Sequence, residues 1–527
     1  MPSEYVAYVP LGRGLRARVG PKDGSLMSEL VGARAGEAAL TPFETVTNGI
    51  TGVDTAVDWP WPQLLRTEAG SLLGFETALY SVNEGTLLAS ELTTYNAGDV
   101  DAEKEIESGG AWSLASFHDM WVATNGASVV YSLPSNDGKY LTASSPLVNS
   151  VCALDGRLFL GGLSGDYFAG VPWGRLMAAW LAHAGDRVVT HEDMAVDSKW
   201  VMWSEPAGGG FDWPYYSVLA AAGFGQAADW AKVEEALITA LKLGDIGLAP
   251  MPTHGSVLQV VPQGNRVVVL CSDVVVALEP HESTFLPRVL STVGAVSRTG
   301  GVCVGGVVLF VGTDGRLWGV REGERATRLG YSEYFGSADS DTVADVDEMM
   351  EDAYFCWGGS TYVWHNGELC ERELVTTSVG RLTGTLWGIS EDTGAGWVAG
   401  TGVGAASEGE YEVGLVSGVL QFGQADLVEL RSVELVASDV VAARVGAYYK
   451  HGQASDFVEM SCLPGSPEGV FFPRCSGIEF KLKVGLLLQE DSVVEGLRVR
   501  FMYDGSRNIR GPRVTGMSLD TSVARAG

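Results

Sequence analysis

Apolar positions along this chain fall in short runs of β-branched and aromatic residues, broken by turns that carry glycine. Trp121-Val122-Ala123 leads through Thr124-Asn125-Gly126 into Ser128-Val129-Val130-Tyr131, a hairpin whose Asn-Gly turn tolerates the positive φ required there. The pattern recurs. Residues 151–154 turn at Asp155-Gly156 into 157–160, and residues 307–311 turn at Asp314-Gly315 into 316–320. Residues 354–357 turn at Gly358-Gly359 into 361–364, and the chain turns again at Asn366-Gly367. Residues 267–270 pair with 274–278 through Ser272-Asp273, and a further hairpin is expected across 387–398. Consecutive hairpin centres lie roughly 30 to 50 residues apart, the spacing of a four-stranded repeat. One such sheet cannot bury both faces, but sheets stacked around an axis can. The expected fold class is therefore mainly β, with a β-propeller over residues 61–409. A set of β-sandwiches fits the same strand spacing.

Helical periodicity is confined to one stretch. Residues 174–184 place Leu176, Met177, Trp180 and Leu181 on one face. Residues 226–243 do the same with Trp230, Val233, Leu237 and Leu241, and Gly244 stands where a C′ glycine belongs. Both stripes read as helix–sheet packing, which makes residues 170–245 a small helical insertion. Beyond residue 410 the rhythm changes to strict alternation: Ile478, Phe480, Leu482, Val484 and Leu486, then Leu497, Val499 and Phe501 between Arg498 and Arg500. These half-buried strands predict a C-terminal antiparallel β-sandwich over 410–527, divided from the propeller by the glycine-rich segment 394–409. Residues 1–60 are left as an N-terminal arm with the first strands.

Composition narrows the function classes. There are 69 glycines in 527 residues, nearly twice the usual share of about 7%. With 20 prolines and no three-residue period, they mark tight turns rather than collagen or disorder. The balance of 35 basic against 65 acidic residues gives −30, a charge that repels nucleic acid and anionic membrane surfaces. No basic-then-apolar leader opens the sequence, and the longest apolar runs, such as 304–311, fall short of the roughly 18 residues of a membrane span. Seven scattered cysteines (Cys152, Cys271, Cys303, Cys356, Cys370, Cys462, Cys475) form no CxxC pair. They suggest neither a zinc site nor a disulfide framework, and fit folding in a reducing cytosol.

Catalytic motifs are missing. The histidines (His118, His183, His191, His254, His281, His365, His451) show no metal-ligand spacing, and neither a GxSxG elbow nor a Walker A loop occurs. Gly12-Arg13-Gly14-Leu15-Arg16-Ala17 fits GxGxxA, but Pro10 interrupts the strand before it and the turn at 19–24 forbids the helix after it. The same stretch holds Arg13, Arg16, Arg18 and Lys22, either a solvated arm or a segment that docks on an acidic neighbour. Two acidic runs, Asp339, Asp341, Asp345, Asp347, Glu348, Glu351 and Asp352, and Asp99, Asp101, Glu103, Glu105 and Glu107, lack EF-hand register and read as solvated loops. Paired carboxylates for glycoside hydrolysis are a spatial matter. Sialidase-type boxes do not repeat, the nearest fragment being Ser390-Glu391-Asp392-Thr393-Gly394. No catalytic residue, cofactor or metal ligand is assigned.

The order of local segments resembles the tail nozzle (tail tubular, or hub) proteins of short-tailed bacteriophages. The similarity is carried by Gly110-Ala111-Trp112-Ser113-Leu114-Ala115-Ser116-Phe117 running into Trp121–Gly126, and by Trp200-Val201-Met202-Trp203-Ser204-Glu205-Pro206 continuing to Phe211-Asp212-Trp213. Residues 264–276, Gly294 with Ser297, residues 310–318, and Gly469–Arg474 with Gly477–Phe480 carry the rest. The resemblance implies a propeller protein of the virion tail, made in the host cytoplasm. It would assemble as a homo-oligomeric, hexameric ring below the portal and adaptor (the head–tail connector), touch other tail proteins, and enclose the channel through which genomic DNA leaves. It implies no specific DNA binding and no membrane insertion. The composition suits that role, since an acidic wall does not hold phosphates. The alternatives are a tail-associated propeller enzyme that degrades surface polysaccharide, and a receptor-binding or scaffolding propeller outside any virion.

Overall fold

The computed structural model describes residues 4–519 apart from 16–26, 54–61, 133–139, 173–198, 205–245, 390–395, 401–412, 504–517 and breaks of five residues or fewer. The described chain is mainly β, and its one helix is the single turn Ser332–Phe335.

Among the described residues seven antiparallel four-stranded units follow one another. The first is Gln63–Thr67, Gly70–Gly74, Leu79–Asn83 and Leu88–Glu91. The second is Ser113–Phe117, Met120–Thr124, Val129–Ser132 and Tyr140–Ala143, extended at its outer edge by Thr94–Asn96 and Asp99–Glu103. The third takes Ser150–Leu154, Arg157–Gly161, Trp200–Ser204 and Ile246–Pro250. The fourth runs from Val257–Gln263 to Thr284–Ser291, and the fifth from Gly301–Val304 to Thr327–Gly330. The sixth runs from Val343–Asp347 to Glu368–Arg372. The seventh joins Ser378–Leu382, Thr385–Ile389 and Gly396–Gly400 to Thr45–Asn48, a strand from the far end of the sequence.

Local chemistry explains the hairpins. Asp155 and Gly156, at φ 49° and 69°, close the two-residue turn between Leu154 and its partner Arg157, a geometry open to Asp and Gly at low cost. Every hairpin read from the sequence is present, and in the last of them Trp387 lies opposite Val398.

The apolar runs are continuous because both faces of these sheets are buried. In Arg266–Cys271 all six residues are buried. Val267, Val269 and Cys271 enter a core shared with Phe159, Val201 and Trp203 of the third unit. Val268 and Leu270 enter a second core with Val308, Phe310 and Val320 of the fifth. Each such side chain contributes about 1.5–3 kcal/mol of burial, so stacking is the main source of stability.

The first strands of consecutive units lie side by side, and the first strand of the seventh unit packs against that of the first. Each of the seven seams has a polar clasp. Gln63 Oε1 accepts from Trp112 N, Ser113 Oγ from Val151 N, and Ser150 Oγ from Val260 N. Gln259 exchanges two hydrogen bonds with the Gly301 backbone. Ser297 Oγ donates to Thr342 O, Val379 N donates to Asp345, and Ser378 Oγ accepts from Leu64 N. Side chains are needed at the seams because neighbouring first strands do not form a continuous ladder, and a buried N–H left unpaired costs about 1–3 kcal/mol.

Both chain ends leave this cycle and share one 15-stranded sheet with the sixth unit. Its centre is a hairpin of two long strands, Val428–Lys450 and Glu479–Tyr503, interrupted by bulges around residues 436–442. Glu4–Pro10 pairs with its second half, Val413–Ser417 with its first, and Met27–Val31 joins Val413–Ser417 to the sixth unit through Val31 and Glu371. The strands expected to make a C-terminal sandwich therefore pair with the N-terminal strands, and the two alternating segments 478–486 and 497–501 are halves of one strand. Residues 170–245 do not form one uninterrupted insertion: Trp200–Ser204 returns to the third sheet inside them. Its Trp-Val-Met-Trp run is buried on both faces and so carries no period. The two helical stripes, 174–184 and 226–243, lie outside the described residues.

Candidate axial site

The seven first strands surround a cavity of about 1120 Å³, lined by residues from every unit and by no other strand. Where these strands begin, the walls are buried: Trp112, Ser150, Thr299, Val343 and Ser378. That end is also crossed by Arg298, whose guanidinium donates to the Ala111 carbonyl on the far side. Gly126 makes room for it, since a β-carbon there would collide with the guanidinium. Burial lowers the Arg298 pKa to about 10, which leaves it cationic at neutral pH. Beside it Ala111, Val343 and Cys356 form a small apolar knot with Val375.

Where the same strands end, the walls open. Arg66, Pro262, Glu348 and Met349 are exposed, while Ser116, Cys303 and Arg381 are half-buried. The cavity thus has buried residues around one end and exposed ones around the other. Charge is confined to one arc of it, from the sixth, seventh and first units: Asp345, Asp347, Glu348, Arg381 and Arg66. The opposite arc is neutral and largely apolar, with Leu114, Val151, Val260, Val261 and Val302.

Two carboxylates in the charged arc are already engaged. Asp347 is buried and held by Arg381, with Nε on Oδ1 at 2.8 Å and Nη2 on Oδ2 at 2.7 Å. Asp345 accepts from Ser378 Oγ and from Val379 N at 3.0 Å. Burial pushes its pKa up to about 6, against the lowering effects of those hydrogen bonds and of Arg66. Neither carboxylate is positioned as a free acid or base. On the rim, burial also raises the Cys303 thiol above its ordinary value.

The acidic run 339–352 was expected to be a solvated loop, and only part of it is. Asp339 and Asp341 form an exposed turn, but Asp345 is half-buried and Asp347 and Asp352 are buried in strands. Asp352 takes Arg34 Nε on Oδ2 and His365 Nδ1 on Oδ1, each at 2.6 Å. Arg34 and Arg372 both stack over Phe43, so this cluster clamps the N-terminal hairpin to the sixth unit. In the second run Asp101, Glu103, Glu105 and Glu107 are exposed. Among the described residues no group of His, Cys, Asp and Glu has the arrangement of a metal site. Arg13, Arg16, Arg18 and Lys22 lie outside the described residues. Next to them, Gly14 N donates to Glu368 and Leu15 N to Leu369 O.

Sequence reasoning missed Arg66, Arg298 and Arg381, since single arginines in β segments carry no motif. The signal it could have used is the polar residue, Ser, Thr or Gln, at or near the start of several first strands.

No protein-family model and no curated protein matches the chain. Among solved structures it is similar to the extracellular domain of a hybrid two-component system of B. thetaiotaomicron, at 10% identity and a TM-score of 0.35. That alignment covers 82% of this chain and 48% of that one, so this chain spans about half the length of that relative. The computationally designed Ika8 protein aligns at 9% identity and a TM-score of 0.33, over 67% of this chain and all of that one. BamB from Moraxella catarrhalis aligns at 8% and 0.32, over 67% and 97%. No helix among the described residues is long and apolar enough to cross a membrane. Likenesses this weak carry no argument about function.

Proposed function

We propose that the seven units form a seven-bladed β-propeller closed by Thr45–Asn48, and that the protein is a structural subunit of the tail nozzle of a short-tailed bacteriophage. One observation carries the reading: the first strands make a clasped cycle, while both chain ends are drawn out of it into a broad sheet at one flank. That design invests the chain in rigid surface. The order of segments resembles the nozzle family, and the charge of −30 suits a wall that lets phosphates pass.

In this reading DNA does not run through the propeller axis. One end of the axial cavity is crossed by Arg298, which reaches the Ala111 carbonyl, so the conduit is the space enclosed by a ring of copies. Negative-stain electron microscopy of the protein, alone and mixed with a portal–adaptor complex, should give ring-shaped particles with a central opening. Separate subunits in both samples would defeat the proposal. Titration of fluorescent duplex DNA at low salt should give no saturable binding, and a tight complex would count equally against it.

A further inference from the structure

The broad sheet at the flank of the sixth unit turns a basic face to solvent. Along residues 444–450 its long hairpin alternates: Val445 and Ala447 are buried opposite Val484 and Leu482, which puts Arg444, Tyr448 and Lys450 on the other face with Lys481 and Lys483. Two rings hold the ammonium groups close together. Phe457 lies 5.3 Å from Lys481 Nζ and 5.6 Å from Lys450 Nζ, and Tyr448 lies 5.8 Å from Lys483 Nζ. Of the carboxylates on this face, Glu459 is paired with Lys483 at 2.9 Å, and Glu479 is buried and takes the Gln421 amide. Glu29 comes next, two strands beyond Lys483. Lys450 and Lys481 have no ion-pair partner among the described residues, an excess of positive charge in a chain with 35 basic against 65 acidic residues.

The second unit presents the opposite charge. Thr94–Asn96 and Asp99–Glu103 extend its sheet outward, and Asp99–Glu103 is the edge strand. Asp101 and Glu103 on that strand, and Glu105 and Glu107 after it, are exposed at every second position, with Lys104 the one cation among them. Asp101 and Glu103 repeat about every 6.7 Å along an extended strand, and so do Lys481 and Lys483. In the seven-membered cycle the second and sixth units stand three steps apart, on nearly opposite flanks. A positive face and a negative edge so placed cannot meet within one molecule, but they meet between copies arranged head to tail, the type of contact that closes rings. Copies of charge −30 repel one another at long range, so their association needs a local match of opposite charge. From this arrangement we infer that the basic face of the long hairpin receives the acidic edge strand of a second copy. Lys450 and Lys481 pair with Glu103 and Glu105 of that copy, beside Tyr448 and Phe457. The inference rests on the ring reading and supplies the contact between its subunits.

Carbodiimide coupling joins a lysine amine to a carboxylate in contact with it, and it reads this interface directly. Full-length protein with natural and with heavy nitrogen is mixed at high salt, brought to low salt alone and with a portal–adaptor complex, coupled, digested and analysed by mass spectrometry. The link between Lys483 and Glu459, 2.9 Å apart in one chain, is the internal control and should stay isotopically unmixed. Links from Lys450 or Lys481 to Glu103, Glu105 or Glu107 should carry mixed labels and vanish at high salt. In sedimentation equilibrium, Lys481→Glu should weaken self-association at least about tenfold, and Glu103→Lys with Glu105→Lys should do the same. The three changes combined in one chain should restore most of it, a rescue that a misfolded chain could not give. Absence of the mixed links, association unmoved by the reversals, or failure of the rescue would each overturn the inference. Links from these lysines to other carboxylates of the second copy would give the face a different occupant and overturn it as well. Rings without these links would leave the nozzle reading standing and remove this contact. Links between copies that never close into rings would keep the contact and remove the nozzle.

Discussion

Replacing Asp345 by Asn tests whether the clasp between the sixth and seventh units carries an electrostatic penalty. Asp345 is half-buried, and loss of solvation raises its carboxyl pKa from 3.8 to about 6. A raised carboxylate pKa means that the folded protein binds the proton more tightly than the unfolded chain does. Below pH 3.8 both states are protonated and the group is neutral in effect. Between pH 3.8 and 6 stability falls as pH rises, and above 6 the loss is constant at about 3 kcal/mol, two pKa shifts of one unit each being about 1.4 kcal/mol. Asn keeps the acceptor for Ser378 Oγ and Val379 N but has no charge to bury. Its amide hydrogens add a fixed cost that is the same at every pH, so the informative quantity is the change with pH. Urea unfolding followed by tryptophan fluorescence at pH 4.5 and pH 7.5 should show the variant gaining about 2 kcal/mol on the native protein between the two. An unchanged difference across that interval would refute the argument, and a difference of opposite sign would mean that the seam prefers the carboxylate.

Two other substitutions probe the walls of the same cavity. Arg381→Gln removes both hydrogen bonds to the buried Asp347 and should cost about 3–5 kcal/mol in urea unfolding, most of it restored by adding Asp347→Asn. Ser150→Ala leaves Val260 N without its acceptor in the seam between the third and fourth units. It should cost about 1–3 kcal/mol and speed hydrogen exchange at Val260 more than at Val268, in the strand interior.

The hairpins were legible because their causes are local. Asp155-Gly156, Gly358-Gly359 and Asn366-Gly367 supply positive φ where a two-residue turn demands it, and the runs beside them can only pair across that turn. The alternation in 478–486 and 497–501 likewise announced half-buried strands, though not that a single strand contains both. Trp200–Ser204 shows where local reading fails. A strand buried on both faces has no period, and its partners Arg157–Gly161 and Ile246–Pro250 lie some 40 residues away on either side. The acidic run 339–352 shows the same limit in chemistry. Asp339 and Asp345 look alike in sequence, yet one caps a turn and the other is hydrogen-bonded to Ser378, brought there by packing of the seventh unit on the sixth.

By itself, then, the chain determined its strand content and its turns, since each depends on residues close in sequence. Closure belongs to the tertiary structure. Thr45–Asn48 completing a sheet begun at Ser378, Arg298 crossing to Ala111, and both ends pairing within one sheet are contacts between distant residues. Their cost is loop entropy, which grows slowly with chain separation, and their reward is burial that no isolated unit can obtain.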